Sequence, residues 1–242
     1  MVIIKYLLPC LFLFPFVSYA QEADVSDNRK FSLGFSFSPD YSYRVLQPDS
    51  ASMWIANHRD SIEVPKFGFT SGINLSWRIS KRFSLEAGLL LSDKGERIPI
   101  REAVWNTSSP TPDPSLPKRY SFNYHYLYLD FPVTVNYFIL TKRTKLFLSA
   151  GISTNLFLTQ MTTTYYEYEN GETKRNRSFY NNGFNRINLA CVGGFGIGFD
   201  ISEKMYMQIE PTYRRSLFSV IDAPINGYLF SFGVNAGVYY RL

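Results

Sequence analysis

The last fifteen residues of the chain, Tyr228 to Leu242, alternate between two kinds of side chain. One set is apolar or aromatic throughout: Tyr228, Phe230, Phe232, Val234, Ala236, Val238, Tyr240 and Leu242. The other set is mostly small or polar: Leu229, Ser231, Gly233, Asn235, Gly237, Tyr239 and Arg241. A period of two predicts a β-strand with one apolar face. Strands in soluble proteins are usually about five or six residues long. A strand that crosses a bilayer needs about nine to eleven, and only a closed barrel can place strands in lipid.

The same alternation predicts seven further strands. They are Phe31–Ser38, Pro65–Ile79, Phe83–Arg97, Tyr120–Ile139, a strand from Lys145 onward, Arg186–Ile201 and Met205–Phe218. Tight turns follow at Ser80–Arg82, Thr141–Thr144 and Ser202–Lys204, whereas the intervening connections are long. Among these, Tyr41 to Glu63 and the polar stretch that ends near Asn185 are predicted to be irregular. Outer-membrane barrels have short periplasmic turns and longer extracellular loops. The sequence therefore predicts an all-β fold, an eight-stranded antiparallel up-and-down transmembrane β-barrel with both termini in the periplasm.

Aromatic residues recur near the tight turns, on the faces that would contact lipid. Trp77, Phe83, Tyr137 and Tyr240 are expected to form the periplasmic aromatic girdle. The alternative is a soluble eight-stranded barrel such as a lipocalin, which would turn its apolar faces inward around a ligand. The length of the predicted strands argues against it.

The first twenty residues have the features of a secretory signal peptide. Lys5 precedes an apolar run, and Ser18-Tyr19-Ala20 is a small-x-small cleavage sequence. We expect residues 1–20 to be a signal peptide and 21–242 a single outer-membrane barrel domain. The remaining chain would have one cysteine, Cys191, so no internal disulfide is expected.

Composition excludes several classes of function. Removal of Lys5 lowers the formal net charge from +5 to +4, a value typical of an ordinary solvated surface rather than of nucleic-acid binding. Two histidines and one cysteine form no metal-site pattern. The glycines around Gly194 are not followed by a helix, as a nucleotide-binding loop requires. No cofactor is expected.

The predicted barrel interior contains six ionisable residues: Arg78, Glu86, Asp130, Glu210, Arg214 and Arg241. An eight-stranded barrel is filled by its own side chains, and buried charges need partners. We predict one cluster of Glu86 with Arg78 and Arg241, and a second of Asp130 and Glu210 with Arg214. A structural plug is the favoured interpretation, and a gate, a proton path or a narrow small-solute channel is the alternative.

The two histidines are the candidate catalytic residues. His58 lies near Asp60 and Ser61 in the first connection, and His125 lies at the upper end of the fourth strand. No spacing forces the geometry that a catalytic relay needs. A non-enzymatic protein is therefore expected, with an outer-membrane lipid-modifying enzyme as the alternative.

Cations beside aromatic residues mark the predicted outer loops. They are Arg97, Arg101, Lys118, Arg119, Lys174, Arg175 and Arg177, with Tyr165, Tyr166 and Tyr168 nearby. Such groups suit lipopolysaccharide phosphates or a partner protein, and ordinary solvated loops are the alternative.

Three short segments resemble a known family. Tyr128-Leu129-Asp130-Phe131-Pro132, Phe199-Asp200-Ile201 and the ending Gly237-Val238-Tyr239-Tyr240-Arg241-Leu242 are similar to the PorT-like outer-membrane β-barrel proteins of Bacteroidetes. The resemblance implies a barrel in the outer membrane, contact with outer-membrane lipid, and a structural or interaction role that supports protein secretion with an envelope partner. Leu242 departs from the aromatic residue common at barrel ends.

Overall fold

The computed structural model describes residues 30–105, 113, 115–141, 144–221 and 225–242. Within these ranges the chain forms one helix and ten strands. They are β1 (Phe31–Pro48), α1 (Met53–Ile62), β2 (Val64–Arg78), β3 (Phe83–Lys94), β4 (Glu96–Glu102), β5 (Arg119–Thr141), β6 (Thr144–Glu167), β7 (Thr173–Tyr180), β8 (Ile187–Asp200), β9 (Met205–Ser216) and β10 (Ile225–Arg241). The predicted signal peptide and part of the predicted Thr141–Thr144 turn lie outside the described residues.

Eight of these strands form a closed antiparallel ring, in the order β1, β2, β3, β5, β6, β8, β9 and β10. The last strand pairs back with the first, from Ser32 opposite Arg241 to Pro48 opposite Ile225. The predicted eight-stranded up-and-down barrel is confirmed. We call the end of the ring with the tight turns the turn end, and the opposite end the loop end.

The two faces of the ring have the polarity that lipid requires. On β1, the apolar residues Phe31, Leu33, Phe35 and Phe37 are exposed on the outside, while the alternate serines point inward and are buried. Near the turn end, Phe31 stacks on Trp77 with ring centroids 6.0 Å apart, and Phe83 lies 5.2 Å from Tyr137. The apolar band extends to Tyr41 and Phe67 near the loop end, whose rings are 5.3 Å apart. A soluble barrel would have the opposite polarity.

The first long connection is more ordered than the sequence predicted, so the prediction of an irregular stretch from Tyr41 to Glu63 is wrong. Strand β1 continues to Pro48, and helix α1 follows. Pro39 has no N–H, and the described pairing with β10 passes from Phe37 directly to Asp40. The alternation nevertheless resumes beyond Pro39, because Tyr41 faces outward and the next residue, Ser42, is buried inside.

No helix in the described part of the chain has the length and apolar character needed to cross a membrane.

Beyond the ring, at the loop end, four strands continue the same sheet, with β4 beside β5 and β7 beside β6. Strands β5 and β6 are 23 and 24 residues long, and their upper parts pair with each other. Strand β7 pairs with β6 from Glu167 opposite Thr173 to Gln160 opposite Tyr180. We call residues 97–102, 119–125, 160–167 and 173–180 the projecting sheet. The polar loop predicted in this region is therefore wrong, because it contains a β-hairpin.

Candidate functional site

One buried charge pair in the ring joins strands β1 and β9. Asp40 is fully buried and accepts hydrogen bonds from Ser38 Oγ at 2.6 Å and from Thr70. Arg214 Nη1 donates to Asp40 Oδ1 at 3.0 Å. The buried carboxylate thus has a cation and two hydroxyl donors, the compensation that a buried charge requires.

A second pair lies between β3 and β5. Lys94 Nζ donates to Asp130 Oδ2 at 2.8 Å, and Asn155 donates to the other carboxylate oxygen. Glu210 accepts a hydrogen bond from Ser149. The predicted grouping of Asp130 with Arg214 is therefore wrong, because Asp130 pairs with Lys94 and Arg214 pairs with Asp40, whereas Glu210 and Arg214 do line one cavity.

The lower cluster was also predicted with the wrong partners. Glu86 accepts a hydrogen bond from the Tyr239 hydroxyl at 2.9 Å. Arg241 instead binds Asp200, which also accepts from Lys145 at 2.8 Å. The guanidinium of Arg78 turns toward the adjacent turn, where it donates to the Lys81 carbonyl at 3.1 Å and lies 5.3 Å above the Phe138 ring.

Two carboxyl groups share a small interior cavity. Glu86 and Glu210 both line a space of about 40 Å³, together with Asn74, Asn235 and Arg214. Near the turn end, a second space of about 30 Å³ is lined by residues that include Arg78 and Arg241. Each is large enough to hold a water molecule. All six ionisable residues singled out in the sequence thus line the ring interior or are buried in it.

An aromatic layer crosses the ring near the turn end. The rings of Tyr206 and Tyr239 are parallel with centroids 4.9 Å apart, and those of Phe138 and Phe147 are 5.6 Å apart. A Cβ atom at Gly196 would lie 2.2 Å from the Phe147 ring, so the glycine makes room for it.

A second aromatic layer closes the loop end. Its buried residues are Tyr126, Tyr128, Phe157, Val220 and Leu229, with Phe184 and Ile221 packed against them. Phe184 stacks on Phe157 at 4.6 Å and pairs with Ile221 through a β-bridge. The two connections that carry Phe184 and Ile221 therefore fold back into the mouth of the ring. The described interior is bounded by aromatic side chains at both ends.

Above this layer, a charged cluster fixes α1 over the mouth. Arg44 is almost fully buried and donates from Nε to Glu63 at 2.6 Å and from Nη1 to Asp60 at 3.0 Å. Arg59 donates to Glu63 at 2.8 Å. Glu96, the first residue of β4, is fully buried beyond the lipid-facing band and accepts from the Tyr126 hydroxyl at 2.6 Å. Burial, followed by the neighbouring Glu63 carboxylate, raises the pKa of Glu96 to about 7.

The two histidines have different surroundings. His58, Asp60 and Ser61 form no relay, because Ser61 Oγ donates to the His58 carbonyl at 2.7 Å while Asp60 binds Arg44. His125 Nδ1 lies 2.8 Å from Asp93 and 2.7 Å from Lys66 Nζ, and Lys66 donates to Asp93 at 2.8 Å. The sequence pattern does not reveal this group, because its members lie on the three strands β2, β3 and β5.

The outer face of the projecting sheet is basic. Pairing across the strands places four residues side by side on this face. They run from Arg97 on β4 through Asn123 on β5 and Thr163 on β6 to Arg177 on β7. The Arg175 guanidinium lies 5.4 Å above the Tyr165 ring. Other predicted rim cations are paired with acids: Lys118 with Glu169 at 3.3 Å and Arg119 with Glu167 at 3.5 Å. In the part of the chain that the structure describes, no group of three or more His, Cys, Asp or Glu residues is placed to hold a metal ion.

Comparison with known proteins identifies the family. The family model described as "outer membrane protein beta-barrel domain" matches residues 19–222. The chain belongs to this family of outer-membrane β-barrels. No curated protein matches it. Among solved structures, this outer-membrane barrel is similar to Neisserial surface protein A, with 12% identity, a TM-score of 0.44, and coverage of 88% of this chain and 97% of that chain.

Two further solved structures are similar to the barrel. The outer membrane protease OmpT from Escherichia coli has 9% identity and a TM-score of 0.45, over 92% of this chain and 100% of that one. The attachment invasion locus protein Ail of Yersinia pestis has 10% identity and a TM-score of 0.37, over 88% and 97%.

Membership of this family also orients the molecule. It implies the bacterial outer membrane, where the short turns of such barrels face the periplasm. The turn end is therefore periplasmic. The loop end, with α1, β4, β7 and the projecting sheet, is extracellular.

Proposed function

We propose that this outer-membrane barrel is a non-enzymatic interaction module that acts through its extracellular end and conducts no solute through its ring. The observation that carries this proposal is the filled interior. Buried ion pairs occupy the ring between two aromatic layers, while the projecting sheet extends beyond the lipid-facing band.

Resemblance to PorT-like proteins of Bacteroidetes supports a more specific role. On this proposal the protein is exported through cleavage of the signal peptide at residues 1–20, and it supports protein secretion by contacting an envelope partner. Lipopolysaccharide is the second proposed partner. Arg97, Arg175 and Arg177 are exposed on the outer face of the projecting sheet, and guanidinium groups bind phosphate in a bidentate manner.

The closed interior can be tested in planar lipid bilayers. Purified, refolded protein is expected to give no discrete single-channel conductance. The double variant Tyr206→Ala/Tyr239→Ala removes two rings from the periplasmic aromatic layer. It is the matched control for conductance through a less tightly filled ring. Discrete openings of the unmodified protein would contradict the proposal and favour a narrow channel.

The role of the projecting sheet can be tested by complementation. In a strain that lacks the gene, the full chain is expected to restore the pattern of secreted proteins. A variant in which residues 161–179 are replaced by a short turn is expected to insert as a heat-modifiable barrel without restoring that pattern. Full complementation by the shortened variant would assign the function to the ring instead.

One observation favours a second candidate function, a lipid-modifying enzyme. His125 is one-quarter exposed, and its Nδ1 lies 2.8 Å from Asp93 and 2.7 Å from Lys66 Nζ, so a side chain that often serves as a general base has a carboxylate and a cation beside it. If this group is catalytic, His125→Ala and Asp93→Asn will each reproduce the lipid A species of the deletion strain in mass spectra. If the protein is non-enzymatic, both variants will retain the lipid A species of the parent.

A further inference from the structure

The projecting sheet has two faces with different chemistry. Its outer face carries Arg175, Arg177 and the Arg119–Glu167 pair. Its inner face, which continues the inward-facing side of the ring, forms one wall of an open pocket of about 450 Å³. Ten residues line this pocket, among them the aromatic Phe122, Tyr166 and Tyr180 and the amides Gln160, Asn176 and Asn182. Small-molecule sites typically have volumes of about 300–1,000 Å³.

The pocket combines aromatic rings with neutral hydrogen-bonding groups. Phe122 and Tyr124 are nearly parallel, with centroids 6.1 Å apart, and Tyr120 packs on the other side of Phe122 at 5.5 Å. This run of rings along β5 is held in place by its own packing, so its apolar faces are preformed. Amides and hydroxyls of β6 and β7 lie beside it and supply both donors and acceptors.

None of the ten lining side chains is charged at neutral pH. Lys174, on the same face of β7, lies toward the tip of the hairpin, 3.5 Å from Glu172 and 4.9 Å above the Tyr168 ring. An anionic ligand would therefore find no cation within the pocket. A hydrocarbon ligand would bury amides and hydroxyls without partners, which is unfavourable.

The backbone beneath the pocket is already paired. Strand β6 is bonded to β5 on one side and to β7 on the other throughout the projecting sheet. Strand addition, a common mode of peptide recognition, is therefore open only to the free edge of β7 beside the pocket, and not to the backbone beneath it. Recognition on the inner face must rely on side chains.

We propose that the inner face of the projecting sheet binds a neutral oligosaccharide. A sugar ring has apolar C–H faces that can stack on Tyr166 and Tyr180, beside the packed rings of Phe122 and Tyr124. Its hydroxyl groups both donate and accept hydrogen bonds, which suits Gln160, Asn176 and Asn182. The inference rests on the proposed function, because it names the ligand class that the interaction module recognises.

A neutral glycan array tests this inference with the whole barrel. The protein is applied in a detergent without a sugar headgroup, because alkyl glycosides would compete for the pocket. Binding to at least one neutral glycan is expected, with weaker or no binding to sulfated and sialylated ones. Isothermal titration with the strongest glycan then measures affinity for the parent and its variants.

Adjacent residues of β7 provide a matched pair of variants. Tyr180 lines the pocket, whereas its neighbour Phe179 is exposed on the outer face. Tyr180→Ala and Phe122→Ala are each expected to weaken glycan binding at least tenfold. Tyr180→Phe is expected to retain most of the affinity, and Phe179→Ala is expected to leave the affinity unchanged. Heat-modifiable gel migration checks that every variant retains the barrel.

Three outcomes would overturn the inference. They are the absence of binding to any neutral glycan, a preference for charged glycans, and equal affinity loss in Phe179→Ala and Tyr180→Ala. The first would leave the bilayer and complementation results of the proposed function unaffected, so the two proposals fail separately.

Discussion

Two consecutive arginines on β9 offer a direct test of the buried ion pair. Arg214 points inward and binds the fully buried Asp40, whereas Arg215 is exposed on the outer side of the ring. Methionine can replace either side chain with a similar length and no charge. Arg214→Met therefore leaves the Asp40 carboxylate without its cation, while Arg215→Met changes only an exposed side chain.

The size of the effect follows from the environment of Asp40. Removal of one partner from a buried ion pair costs about 3–5 kcal/mol, because the other charge is left uncompensated. Ser38 and Thr70 still donate to Asp40, so we expect Arg214→Met to lower the free energy of unfolding by about 3 kcal/mol, the lower end of that range. Arg215→Met should change it by less than about 0.5 kcal/mol. Asp40→Asn added to Arg214→Met should recover most of the loss.

Urea unfolding in detergent micelles, followed by far-ultraviolet circular dichroism, measures these differences. The slope of the free energy of unfolding against urea concentration must be the same in all variants before their midpoints can be compared. If the two methionine variants unfold at the same urea midpoint, the Asp40–Arg214 pair does not stabilise the barrel as inferred. If the double variant is less stable than Arg214→Met, the uncompensated charge is not the cause of the loss.

Three further substitutions follow from the structure. The pKa of Glu96 lies at about 7, above its ordinary value of 4.5, so the protonated carboxyl stabilises the fold below pH 4.5 and that contribution is lost as pH rises through 7. We expect a loss of about 3 kcal/mol between pH 4.5 and 8, which Glu96→Gln should remove in unfolding measurements across that range. Glu86→Gln should be neutral or stabilising by about 1 kcal/mol in urea, because Glu86 faces Glu210 across the cavity and accepts from Tyr239. Gly95→Ala should lower stability by about 1–3 kcal/mol in the same assay, because Gly95 has φ of 140° and its Cβ would lie 2.2 Å from the Tyr124 carbonyl oxygen.

Each substitution has a contradicting result. Parallel pH profiles for Glu96→Gln and the parent would show that another group causes the dependence. A loss in Glu86→Gln as large as that in Arg214→Met would mean that the Glu86 carboxylate has a stabilising partner. Gly171→Ala is the control for Gly95→Ala, because Gly171 also has a positive φ, 78°, but no atom within 4 Å of a Cβ. Equal losses at the two glycines would exclude the steric clash as the cause.

The ring was predictable because lipid imposes a strong local pattern. Every spanning strand must present apolar side chains outward, so the period of two in β2 or β10 reveals both the strand and its lipid-facing side. Strand β7 lacks this signal, since Thr173 to Tyr180 is mostly polar and lies beyond the lipid-facing band. It pairs with β6 in a hairpin, and both strands of that hairpin are rich in polar residues.

The partners inside the ring could not be inferred in the same way. Asp40 and Arg214 are 174 residues apart, and their contact depends on how the ring closes and on strand tilt. Asp40 itself was omitted because the first strand was predicted to end at Ser38. The alternation through Tyr41 and Tyr43 was the signal that could have extended that strand.

Closure of the ring also constrains how the molecule can be assembled. The pairing of Ser32 with Arg241 joins residues 209 positions apart (241 − 32), and contacts between such distant residues form slowly because a long loop must close. Until that seam forms, β1 and β10 each carry a row of unpaired N–H and C=O groups, which cannot be left exposed in hydrocarbon. Insertion and seam closure must therefore be coupled. The N-terminal strand has to be kept out of lipid until the final strand has been synthesised and has reached the membrane.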